Sequence, residues 1–127
     1  MPQMANITVK DAAGADVVLT ALTPSSGDRA ALWRYDALNT LPLLRPTYQV
    51  TTTYNGPRDA RRTVVTGSYP ISDPVLATVK ARIPFRLEAT LPLNVDTVDT
   101  DDAVVIMQNF IKSALITEVL KSGFNAT

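Results

Sequence analysis

The segment from Lys80 to Leu91, Lys-Ala-Arg-Ile-Pro-Phe-Arg-Leu-Glu-Ala-Thr-Leu, alternates two opposed chemistries. Side chains on a β-strand point to opposite faces with a period of two. Ala81, Ile83, Phe85, Leu87, Ala89 and Leu91 therefore form one apolar face. Lys80, Arg82, Arg86, Glu88 and Thr90 form the other, and cations dominate it. A sheet built on this strand needs a cover on its first side and offers its second to an anion. The pattern points to nucleic-acid binding rather than to a catalytic cleft.

The chain ahead of this strand has the same β character. Asn6 to Lys10 and Asp16 to Thr23 are short β-rich runs, separated by Asp11-Ala-Ala-Gly14 with a glycine where a hairpin turn needs one. Pro24 to Gly27 breaks the chain again. Arg29 to Tyr35 suits a third strand, although Ala30-Ala31-Leu32 would fit a helix equally well, and Asp36 to Pro46 is loop-like. From Thr47 to Tyr54, residues Tyr48, Val50, Thr52 and Tyr54 share one side and Thr47, Gln49, Thr51 and Thr53 the other. Asn55-Gly-Pro-Arg-Asp59 is a turn. Arg61 to Tyr69 returns with Thr63, Val65, Gly67 and Tyr69 on one face and Arg62, Val64, Thr66 and Ser68 on the other. Pro70-Ile-Ser-Asp-Pro74 is expected to stop that strand.

The C-terminal segment changes period. Asp99 or Thr100 suits an N-cap, and Asp101 and Asp102 bring negative charge to the positive end of the helix dipole. Ala103, Ile106, Met107, Phe110, Ile111, Ala114 and Leu115 recur at three- and four-residue spacing and share one stripe. An interruption is expected between Ser113 and Thr117, and Gly123 is a natural stop.

Length and composition narrow the function. At 127 residues the chain reads as one domain over residues 1–127, with a sheet part over about 1–95 and a helical part over about 99–122. The formal charge is zero but segregated. From Arg45 to Arg86 seven cations face two acids, a net of +5; from Leu87 onward six acids face two lysines, a net of −4. There is neither cysteine nor histidine, which removes disulfides, thiolate zinc sites and imidazole chemistry. No nucleophile, base and orienting group appear together, so no enzyme, cofactor or small-molecule substrate is expected. Asp96, Asp99, Asp101 and Asp102 could be read as a cation site, but helix capping accounts for them and no metal is expected. No apolar run approaches the roughly 20 residues that cross a bilayer. The opening Met-Pro-Gln-Met lacks the basic and apolar regions of a secretion signal, so the expectation is a chain made in a cytoplasm without a membrane partner.

Five or six antiparallel strands present more apolar surface than one or two helices can roof. Two copies joined edge to edge, each laying its helix across the other, would cover it and remove an exposed edge. The order of elements favours a homodimer.

Three stretches, taken in order, carry a resemblance. Asn6-Ile-Thr-Val-Lys-Asp-Ala-Ala-Gly14 opens it. Tyr48 to Pro70 follows, with its Asn-Gly turn and the basic return strand Ala-Arg-Arg-Thr-Val-Val ending in Tyr-Pro. The last strand and the acid-capped helix with Ile-Met-Gln-Asn-Phe-Ile close it. The chain resembles the coat proteins of levivirus-type single-stranded RNA bacteriophages. That resemblance implies an α+β fold: an N-terminal β-hairpin, a five-stranded antiparallel sheet and two C-terminal helices in an interlocked dimer. It also implies a capsid protein of the virion, assembled in a bacterial cytoplasm into an icosahedral shell, usually T=3. The shell would package single-stranded genomic RNA against the inner sheet face, where relatives also bind an RNA hairpin as translational repressors.

Carried onto this sequence, the RNA-binding face is Gln49, Thr51, Thr53, Arg62, Thr66, Lys80, Arg82, Arg86 and Glu88. Val64 and Thr53 depart from the polar and basic residues usual at their places, which favours phosphate neutralisation over base-specific readout. Phe85, Leu87, Met107, Phe110 and Ile111 fall at the dimer interface. Pro70, Ile71, Ser72, Asp73 and Pro74 fall in a loop making inter-dimer contacts. Tyr54 and Tyr69 could stack on bases, but their apolar phase suits packing better. Read from the residues alone, ordinary solvated strand faces, an RNA-binding dimer that forms no shell and a fibre-type subunit stay open.

Overall fold

Each strand lies beside the one that precedes it in the chain. In the computed structural model, which describes residues 3–26 and 29–126, β1 (Ile7–Lys10), β2 (Asp16–Thr23), β3 (Ala31–Arg34), β4 (Thr47–Tyr54), β5 (Ala60–Ser72) and β6 (Val79–Pro92) form one sheet in the order β1-β2-β3-β4-β5-β6. Two helices follow, α1 (Thr97–Lys112) and α2 (Ala114–Ser122). The chain divides into two compact units, Met1–Thr90 and Leu91–Thr127. The sheet has six strands where five were expected: β2 also pairs with β3, so the two strands of the N-terminal hairpin join the four that follow.

Local chemistry sets each turn. Asp11 accepts hydrogen bonds from the amides of Ala13 and Ala15, both at 2.9 Å, and Gly14 takes a left-handed φ of 80°, closing β1 on β2 with Ile7 opposite Leu19. Gly27, the last residue of the expected chain break from Pro24, lies outside the described residues. The β-pattern prevails over the helix-compatible alanines in β3, where Trp33 sits opposite Tyr48 and donates its indole N–H to the Ala5 carbonyl at 2.9 Å. The segment expected to be loop holds two 3₁₀ turns, Asp36–Leu38 and Pro42–Leu44. Arg45 ties it together, donating Nε to the Asn39 carbonyl at 2.7 Å and Nη2 to the Thr40 carbonyl at 3.1 Å. Asp36 pairs with both Arg34 and Arg45.

β4 and β5 pair from Thr47 opposite Ser68 to Tyr54 opposite Arg61. In the connecting turn the left-handed residue is Arg58, φ 60°, not Gly56, whose position before Pro57 favours extended backbone. Pro70 does not end β5. It is buried within the strand, which runs on to Ser72, so Pro70, Ile71 and Ser72 are strand and only Asp73 and Pro74 of the expected loop lie beyond it. A proline is tolerated in a strand where no ladder bond needs its missing N–H. The turn proper is built by Asp73, whose carboxylate accepts from Val75 N at 2.8 Å and Leu76 N at 3.1 Å.

In the helical unit, α1 begins at Thr97 with Asp96 as N-cap, three residues ahead of Asp99, the earlier of the two expected caps, which moves Asp99 into the first turn. Asp96 is itself extended, and its carbonyl already accepts from Thr100 N at 3.3 Å. The expected interruption falls at Ser113, whose extended backbone breaks the ladder and bends α2 from α1 by 54°. Gly123, φ 75°, ends α2. Neither helix contains a buried residue. No single helix is long and apolar enough to cross a membrane.

The sheet unit buries little of itself. Among the described residues the buried hydrophobic side chains are Val17, Leu44 and Ala60, in a chain that is 46% hydrophobic. One contact stands out for tightness. A Cβ on Gly67 would come within 2.0 Å of the Phe85 ring and 2.7 Å of the Tyr48 ring, and those rings lie 5.9 Å apart by centroid. The missing side chain of Gly67 is the space through which β6 packs its aromatic across β5 onto β4.

Two expectations follow from this packing. Gly67→Ala should destabilise the protein by about 1–3 kcal/mol through overpacking, read from urea unfolding, and the loss should shrink in a Phe85→Leu background; full additivity would show that the ring is not the obstacle. Tyr48 has its phenol pKa raised, first by burial and then by neighbouring Tyr69. Above pH about 10 the unfolded chain ionises this phenol first, so stability should fall there until the folded Tyr48 ionises too. Tyr48→Phe should lessen that alkaline loss relative to neutral pH, and an unchanged profile would assign the loss to other groups.

Candidate nucleic-acid interface

The β4–β5 register decides which side chains share a face. Gln49 lies opposite Thr66, Thr51 opposite Val64 and Thr53 opposite Arg62, so these six project to the same side. Leu32 of β3 lies opposite Gln49 and extends the row. Two open hollows flank Gln49: one of about 210 Å³ is lined by Thr47, Gln49, Thr66, Gly67 and Ser68, the other of about 300 Å³ by Thr23, Arg29, Ala30, Leu32 and Gln49. The face is relieved rather than flat.

β6 joins this face through ion pairs. Arg62 Nε lies 3.3 Å from Glu88 Oε1, and Arg86 Nη2 lies 3.2 Å from Glu88 Oε2. Glu88 thus bridges two strands and fixes the even-numbered phase of β6 to the side of Arg62. Lys80 and Arg82 share that phase and are exposed. The sequence-derived set Gln49, Thr51, Thr53, Arg62, Thr66, Arg86 and Glu88 is therefore on one side of three adjacent strands, with Lys80 and Arg82 in phase with it nearer the start of β6.

The opposite side is aromatic and apolar around Tyr48 and Phe85, with Thr52 and Thr63 hydroxyls 3.2 Å apart across the strands. Tyr54 lies there too, yet it is not packed in a core. It is half exposed under two guanidiniums, with Arg61 carbon Cζ 5.0 Å and Arg58 Cζ 5.9 Å from its ring centroid, and Arg61 donates to its hydroxyl at 2.7 Å. Sequence reasoning misses this cluster and the double pairing of Glu88. The position of Arg61 directly across the hairpin from Tyr54 is the available signal for the first. Nothing in strand alternation gives the second, because it depends on the β5–β6 register. No group of three or more acidic side chains that could hold a cation occurs among the described residues.

No protein-family model and no curated protein matches the sequence. Solved structures do match in fold. A virus-like particle of bacteriophage NT-214 superimposes with a TM-score of 0.85 at 14% identity, over 99% of this chain and 100% of that one. A virus-like particle of Beihai levi-like virus 21 gives 0.86 at 14% identity, over 99% of each chain. The chain has the RNA-bacteriophage coat-protein fold. An unassembled bacteriophage coat protein, described as an RNA-binding dimer, matches with a TM-score of 0.70 at 17% identity over 96% of each chain. Likeness at this identity carries the coat-protein fold and its element order across; side chains must be argued from this sequence. Here Arg62 and Arg86 lie on the side of Gln49, Thr51, Thr53 and Thr66, and Tyr48 and Phe85 lie on the other, where Arg61 covers Tyr54.

Proposed function

We propose that this chain is a capsid protein that dimerises, assembles into a closed icosahedral shell and packages single-stranded RNA against the polar side of its sheet. The observation that carries the reading is that Arg62, Arg86 and Glu88 share one side of the sheet with Gln49, Thr51, Thr53 and Thr66, opposite Tyr48 and Phe85, in a fold shared with bacteriophage virus-like particles. Its role is structural rather than catalytic, and its place is the virion.

Dimerisation is supported by what the chain leaves uncovered. Ile83 is 56% exposed, Phe110 61% and Ile106 67%. Burying a large apolar side chain is worth roughly 1.5–3 kcal/mol. A few such residues per copy contribute as much as the whole net stability of an ordinary domain, about 5–15 kcal/mol. Folding and association are therefore coupled, with Phe85, Leu87, Met107, Phe110 and Ile111 contributing to the dimer interface. The tip between β5 and β6, where Val75 and Leu76 are exposed beyond Asp73 and Pro74, supplies contacts between dimers. Repression of translation through an RNA hairpin is the finer part of this reading. Gln49, flanked by two open hollows, is the place we assign to an unpaired base.

Phe110→Asp should yield no soluble folded monomer, because association would bury an unpaired charge. Light scattering and circular dichroism check this, and a stable folded monomer would sink the interlocked dimer. The triple variant Arg62→Gln, Arg82→Gln, Arg86→Gln should keep dimers but lower RNA affinity and the RNA content of particles, seen by electron microscopy and absorbance ratio. Its salt slope should fall by roughly 0.7 for each phosphate that is no longer neutralised. Wild-type packaging by that variant would place the interior on the wrong side of the sheet.

A further inference from the structure

The polar phase of β4, β5 and β6 contains one acid, Glu88. It stands between two arginines from different strands, 3.3 Å from Arg62 and 3.2 Å from Arg86, with its two oxygens divided between them. Lys80 and Arg82 share the phase, and neither forms an ion pair among the described residues. The arginine side chains are 52% and 60% exposed and the glutamate 38%. Ion pairs this open to water add little to stability. Folding therefore does not account for a carboxylate in the middle of a cationic surface.

Its effect falls on what the arginines can accept. A phosphate reaching Arg62 or Arg86 meets donors already turned toward a carboxylate. It must displace that carboxylate or lie beside it against like-charge repulsion. The same bridge holds the two guanidinium groups together at one point of the face, so the pair is formed before any ligand arrives. We infer that Glu88 is an affinity-limiting counter-ion of this surface, which weakens single phosphate contacts at Arg62 and Arg86 and makes stable binding depend on many contacts along one strand. The inference rests on the RNA-facing reading of the polar side. In a dimer the device occurs twice, so a long RNA crossing both copies offsets two carboxylates with many phosphates, whereas a short polyanion at one site cannot.

The test compares wild type, Glu88→Gln and the triple arginine variant as unassembled dimers, kept below the concentration at which light scattering detects shells. Binding of a fluorescent single-stranded oligouridylate is measured across a salt series. Removing the carboxylate frees about one more cation for phosphate, so Glu88→Gln should bind about tenfold tighter at low salt with a slope steeper by roughly 0.7. Its thermal midpoint should stay close to wild type, as expected for exposed pairs. Wild-type affinity and slope in Glu88→Gln, or weaker binding, overturns the inference while loss of binding in the triple variant leaves the RNA-facing surface standing. If the triple variant binds as wild type does, the surface itself is misassigned. Should Glu88→Gln fail to fold, Glu88→Ala serves the same comparison with the same expected gain.

Discussion

A sheet one layer thick cannot bury the apolar face that its own alternation creates. Everything else in this molecule answers to that constraint. The period of two in β6 sets Ile83, Phe85 and Leu87 against Arg82, Arg86 and Glu88, and neighbouring strands must adopt the same division or pair polar groups with rings. β4 and β5 comply, with Tyr48 and Gly67 behind Phe85, and Thr53 and Arg62 on the other side. The helical unit buries no residue within itself, so its stripe also waits for a second surface. On the capsid reading proposed above, association is the route by which both apolar surfaces leave water.

Charge is handled differently in the two halves of the sheet. Around Asp36 the arginines are tied to backbone carbonyls as well as to the carboxylate, and they brace an irregular segment beside buried Leu44 and Pro46. Around Glu88 they are open to water and hold no loop. The same residue types brace the fold in the first place and stay open to water in the second. Arg58 and Arg61 make a third arrangement, spreading their cations over the Tyr54 ring on the opposite side. A count of basic residues therefore overstates the unpaired positive charge, and only the pairing pattern corrects it.

The strands, the strong turns, the helix break at Ser113 and the stop at Gly123 were legible in the sequence, because each rests on interactions within a few residues. The reach of β5 through Pro70 was not, since proline reads as a break unless the position needs no ladder bond. Helix α1 starts at Thr97 rather than near Asp99 because several acids in a row offer equivalent caps and backbone geometry chooses among them. For the candidate site, alternation put Gln49, Thr53, Arg62 and Thr66 on a common side, as the β4–β5 register does. It could not give the Arg62–Glu88–Arg86 bridge, which exists only once β6 has a register against β5. Gly67 was placed in the right phase, but its purpose appears only when Phe85 arrives from the following strand.

The two margins of the sheet are unequal. β1, at one margin, has four residues; β6, at the other, has fourteen. Backbone groups on a free margin recruit further strands, and a long one recruits best. If two chains meet through β6, the strong margins consume each other and the composite sheet ends in β1 on both sides, too short to template another chain. Lateral growth then terminates after one addition. On that pairing the inequality of the margins limits growth: it disfavours an indefinite ribbon, and the proposed shell would then be built through turns and helices, where contacts can curve.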